Sequence, residues 1–141
     1  MTAPSKVRPA KWFLPVAGVA LVWNLLGVVA YLSQMSADLS TLPDAQRAFY
    51  ESMPAWATAA FAIAVFSGVA GSVGLLLRQS WASPALVLSV AGVAVQMTHS
   101  LLLGDGMAIF GPSALVLPLL TLAIGLGLVT LARTARKRSW I

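Results

Sequence analysis

Residues 12–32 read WFLPVAGVALVWNLLGVVAYL, twenty-one consecutive positions without Asp, Glu, Lys or Arg. At ~1.5 Å of rise per residue, a helix of that length crosses a hydrocarbon core of ~30 Å. Three further stretches, 56–77, 84–103 and 113–132, are equally free of charge and of similar length. Lipid offers backbone amides no partner, so such segments must bond internally as helices. The reading is therefore an all-α membrane protein: a four-transmembrane-helix bundle forming a single membrane domain over 1–141. Composition agrees, with 59% hydrophobic and 9% charged residues, against the ~25% charged share of soluble domains. The first stretch follows Lys6, Arg8 and Lys11 as a signal peptide would, but its apolar run is too long for that role.

Working outward, the flanks set an orientation. Lys6, Arg8, Lys11, Arg78, Arg133, Arg136, Lys137 and Arg138 fall on one side of the four spans, and Arg47 alone on the other. The positive-inside rule then places both termini in the cytoplasm, an N-in/C-in topology in a bacterial inner membrane. Asp38, Asp44, Glu51 and Asp105 all lie on the opposite, periplasmic side. Trp12, Trp81 and Trp140 mark the cytoplasmic edge and Trp56, Tyr50 and Tyr31 the outer one, while Trp23 stands mid-span. Thr41-Leu42-Pro43-Asp44 resembles a helix start, with Thr41 as the cap, and predicts a short interfacial helix over about 43–52 between spans 1 and 2. The motifs Trp12-Phe13-Leu14-Pro15 and Trp81-Ala82-Ser83-Pro84 open two outward-running spans alike, a faint internal repeat.

Several functions are disfavoured. There is no cysteine, which removes disulfides, thiolate metal sites and dithiol redox chemistry. The sequence pI near 10.5 is explained by topology, so nucleic acid is not an expected partner. No cofactor and no metal are expected; the single histidine excludes bis-histidine haem ligation. None of the four spans contains an acid, unlike the small four-helix multidrug exporters with their membrane-embedded glutamate.

What remains is a pattern of intramembrane polar groups. On the first span Asn24, Gly27, Tyr31 and Gln34 follow at steps of three and four, and on the third Ser89, Gly92, Gln96 and His99 do the same. Both stripes should face protein. They either pair directly as interhelical glue, the preferred reading, or line an outward-facing pocket between helices 1 and 3. In the pocket reading Asn24, Tyr31, Gln34, Gln96 and His99 bind a lipid headgroup or small polar ligand. Ser67, Gly68, Gly71 and Ser72 on the second span, with Gly92 and Gly125, are expected helix-packing positions, within one chain or between copies. Pro118 predicts a mild kink in the fourth span.

The segments Trp23-Asn24-Leu25-Leu26-Gly27-Val28-Val29-Ala30-Tyr31-Leu32 and Phe49-Tyr50-Glu51-Ser52-Met53-Pro54-Ala55-Trp56 resemble a family of small bacterial four-helix inner-membrane proteins. The similarity continues through Leu75-Leu76-Leu77-Arg78, Trp81-Ala82, Gln96 and Gly111-Pro112, and some members are labelled sugar transporters. The resemblance implies the four-span topology and points to Trp23 as a ligand-binding residue, an aromatic platform beside Asn24 for a sugar or lipid. The resulting functional expectation is a non-enzymatic membrane protein acting by association, as an accessory subunit of a membrane complex or a self-assembled homo-oligomeric bundle. The alternative is small-solute or lipid binding and transport through the polar pocket.

Overall fold

The computed structural model describes residues 5–141. Residues 1–4, which the expectation for the termini includes, lie outside the described residues. Six α-helices are present among them: α1 (Phe13–Ser36), α2 (Asp44–Glu51), α3 (Ala55–Leu76), α4 (Ala82–Thr98), α5 (Gly106–Phe110) and α6 (Val116–Lys137). The α4 helix runs on as a wider π-turn over His99–Leu103. Four of these helices, α1, α3, α4 with its π-turn, and α6, are long and apolar enough to cross a membrane. Their outward side chains fit lipid rather than water: Val19 is 70% exposed, Leu117 63% and Leu102 75%. A soluble monomer rarely exposes so continuous an apolar surface.

Prolines set the helix starts. Pro15 and Pro84 are each the third residue of their helix, after Trp12 and Trp81 at the cap positions, so the missing N–H falls where no intrahelical partner exists. Pro118 behaves likewise. The chain from Pro112 to Leu115 is a 3₁₀ turn and α6 begins only at Val116, which puts Pro118 in a first turn and removes the reason for the expected kink. Thr41 is not the cap of α2 either: it ends a 3₁₀ turn, Leu39–Thr41, and Pro43 precedes α2. Asp38 caps that turn instead, accepting from the Ser40 hydroxyl and N–H. These two bonds, the hydroxyl's first, hold its carboxyl below the usual carboxylate range.

In space the long helices follow the order α1, α3, α4, α6, each packed on the next, while α1 and α6 make little contact. The α3–α4 seam is the most extensive, because small residues let the backbones meet. A methyl group placed on Gly71 would lie 2.5 Å from Leu86 Cγ, and one on Gly74 2.9 Å from Ala82 Cβ. Gly68 faces Asn24 of α1 and Ser89 of α4 in the same way, and Ser72 is wholly buried. The expected packing stripe of α3 is thus turned against its own chain, except that Ser67 is half-buried and bonds Ile63 of its own helix. Gly125 lets α6 approach Val90 of α4.

The basic end is closed by two matching turns. After α3, Arg78 at φ 57° lets Gln79 N–H reach Gly74 O (2.8 Å) and Arg78 N–H reach Leu75 O (3.1 Å). After α6, Ser139 at φ 58° repeats the arrangement with Trp140 and Ala135. Both are Schellman turns, a position that normally favours glycine. Arg78 is there because its guanidinium ties the end together, donating from Nε to Trp140 O (2.8 Å) and from a terminal nitrogen to Val7 O (2.5 Å). Val7 N–H in turn bonds Ser139 O (2.7 Å), and Trp140 packs edge-on against Trp12 and Phe13. Arg78→Ala should therefore destabilise the protein by about 2 kcal/mol, since bonds from charged groups contribute ~1.5–3 kcal/mol each and this site is half-exposed. Arg78→Gly should lose about 1 kcal/mol less, because glycine removes the left-handed strain. Unfolding titrations in mixed micelles measure both; an Arg78→Ala protein as stable as wild type contradicts the tie.

Candidate functional site

Since α1 and α6 are joined at the basic end and scarcely meet elsewhere, a half-open groove lies between them toward the acidic end. Its volume is about 460 Å³, within the ~300–1,000 Å³ of small-molecule sites. All four long helices contribute: Trp23, Leu26, Ala30 and Gln34 from α1, Phe61 and Val65 from α3, Val93, Gln96, Met97 and Ser100 from α4, and Leu117, Pro118 and Thr121 from α6. Most of this lining is apolar, and no charged residue belongs to it. Trp23 also borders a second cavity of about 20 Å³ with Leu86, Val90 and Leu128. Asn24, Ser89, Val93 and Thr121 border both cavities with it, at the inner end of the groove.

The groove differs from the expected pocket between helices 1 and 3 in its walls and in two residues. Tyr31 does not line it. Three residues along a helix is ~300° of rotation, so Tyr31 is turned ~60° from Gln34. That turn brings its ring edge-on to Phe61 (5.4 Å) and Phe66 (5.8 Å) of α3.

His99 does not line it either. It is 6% exposed, packed against Phe49 of α2 (6.0 Å between centroids) and Trp56 of α3 (5.4 Å). Its Nδ1 is buried without a hydrogen-bond partner among the described residues. Phe49, Tyr50 and Phe110 continue this aromatic cluster over the acidic end. The neighbouring Ser100, within the π-turn, reaches the groove instead.

Asn24 combines both sequence readings. Its Nδ2 donates to Ala20 O (2.9 Å) and to Ser72 Oγ (3.1 Å) of α3, and the Ser72 hydroxyl in turn donates to Gly68 O (2.9 Å). Ser89 Oγ of α4 donates to Ala64 O of α3 (2.6 Å). This knot joins three helices with both Asn24 donors consumed. Asn24 is therefore part of the groove wall through its packing, and the interhelical-glue reading describes its hydrogen bonds.

The other carboxamides are freer. Gln34 Nε2 makes one long contact to Met53 Sδ (3.7 Å). The half-buried Gln96 side chain faces the groove without a hydrogen-bond partner among the described residues. Thr121 Oγ1 is satisfied within its own helix by Leu117 O (2.8 Å).

No family model, curated protein or solved structure matches the chain. The function is accordingly argued from the groove. Sequence reasoning missed its α6 wall, where Pro118 predicts only a kink, and missed Leu26, Phe61 and Val93, which look like ordinary lipid-facing or core residues in a linear pattern.

Proposed function

We propose that the protein is a non-enzymatic binder of a molecule drawn from the lipid phase, held in the groove between α1 and α6. In this reading it sits in a bacterial inner membrane with the basic end toward the cytoplasm, and α2 lies at the outer headgroup level. The observation that carries it is an uncharged, mainly apolar groove of about 460 Å³ with its open side between two helices whose apolar faces are exposed. A ligand can enter there without leaving the bilayer. The lining favours a lipid over a freely soluble polar solute such as a sugar, because few of its polar groups remain unpaired. The Lys/Arg asymmetry supports the orientation.

Association with a partner subunit or a second copy is the competing reading. It is weakened by the inward direction of Gly68, Gly71 and Ser72, the small residues best suited to a helix–helix contact. A photoreactive side chain at Leu117, in the groove wall, compared with one at Val19, outside it, tests the proposal in native membranes. The expected result is one discrete small adduct from position 117 and only mixed phospholipid from position 19. The same mixture at both sites contradicts ligand binding, and a protein-sized adduct at 117 favours association.

A further inference from the structure

The freer carboxamides of the groove and the Ser100 hydroxyl are not spread along it. Asn24 of α1 and Ser89 of α4 share one level, since both approach Gly68 of α3, and there the Asn24 Nδ2 hydrogens and the Ser89 hydroxyl are donated within the protein. Counting ~1.5 Å per residue toward the acidic end, Gln96 stands ~10 Å, Gln34 ~15 Å and Ser100 ~16 Å beyond it. Between the two levels the wall is Leu26, Ala30, Phe61 and Val93. The groove is therefore an apolar slot about 10 Å deep with a polar mouth.

That mouth is built at an irregularity. Ser100 belongs to the π-turn, a helix distortion that recurs at functional sites. The turn is held by close packing, because a side chain on Gly106 would collide with the Ser100 carbonyl. Two carboxamides and a hydroxyl offer both donors and acceptors, and no ionic group accompanies them.

Resting on the proposed binding role, the geometry points to a neutral glycerolipid, a mono- or diacylglycerol, as the occupant. Its hydroxyl and ester carbonyls meet Gln34, Gln96 and Ser100, and its acyl chain fills the slot toward Trp23. This orientation matches that of a lipid in the leaflet at the acidic end. A phospholipid would bring a charge into a site with no counter-charge. A quinone, which only accepts, would leave the carboxamide oxygens unpaired.

The test uses the full-length protein in phosphatidylcholine nanodiscs containing equal mole fractions of dioleoylglycerol, phosphatidylglycerol and decylubiquinone, with the retained lipid identified by native mass spectrometry. Dioleoylglycerol should be retained selectively. Gln96→Leu and Gln34→Leu should each weaken its retention by roughly three- to tenfold, one net hydrogen bond, with an unchanged melting curve. Equal retention of phosphatidylglycerol or the quinone, or unchanged affinity in both glutamine variants, overturns the glyceride assignment while leaving a lipid-binding groove. Retention of none of the three probes by the wild-type protein overturns the glyceride assignment, and only an unrelated adduct at position 117 then preserves the groove's role.

Discussion

Replacing Gly92 by valine is expected to destabilise the protein by about 3 kcal/mol, at the upper end of the usual overpacking range. The reason is the identity of the neighbours. A methyl group on Gly92 would lie 2.8 Å from Ala60 O, 2.9 Å from Ala64 N and 3.1 Å from Ala64 Cα. These are backbone atoms of α3, which cannot rotate away as a side-chain tip would. Relief requires α4 to move off α3, and the Ser89–Ala64 bond (2.6 Å), one turn away, would be stretched with it. Because α4 also carries Gln96 and Ser100, the groove should widen as the seam opens. The control is Gly127→Ala on α6, where nothing lies within 4 Å; it should be neutral or stabilising by about 0.5–1 kcal/mol through helix propensity alone. Unfolding in mixed micelles separates the two. A Gly92→Val protein as stable as the Gly127→Ala control contradicts the close α3–α4 packing.

The second large effect is expected in binding rather than stability. Ala30 lies between Leu26 and Gln34 on the groove face of α1 and is itself exposed. A tryptophan there extends into open space instead of the core, so the fold should be retained with a melting curve close to wild type. The indole should occupy the apolar slot and exclude the ligand. A smaller residue at this point, Ala30→Ser, leaves the slot open and should leave binding near its wild-type level. The pair thus separates loss of space from loss of structure.

The four long helices were legible because charges are absent from them, and in a bilayer that absence has one structural solution. Helix ends were less legible. Arg133, Arg136 and Lys137 are compatible with continued helix, and α6 runs to Lys137, five residues past the apolar run. The groove was partly legible: Trp23, Asn24, Gln34 and Gln96 announced a polar face. Periodicity does not say which helices adjoin, and so it could not reveal that α6 stands away from α1. Tyr31 was misjudged by a rotation of ~60°, small on a helical wheel and decisive for which neighbour it meets. His99 was misjudged for a different reason. No proline or glycine within residues 99–103 marks the π-turn, whose close packing depends on Gly104 and Gly106 farther along and on Phe49 from α2. Asn24 shows that glue and pocket were never alternatives, since one residue can hold two helices together and still shape a wall.

The central claim, a lipid-phase ligand in the α1–α6 groove, is tested most directly by native mass spectrometry of the protein released from its own membrane without detergent extraction. The account predicts a stoichiometric small-molecule adduct on the wild-type chain that is absent from Ala30→Trp and present on Ala30→Ser. An identical adduct pattern on all three proteins, or a bare wild-type chain, would contradict it.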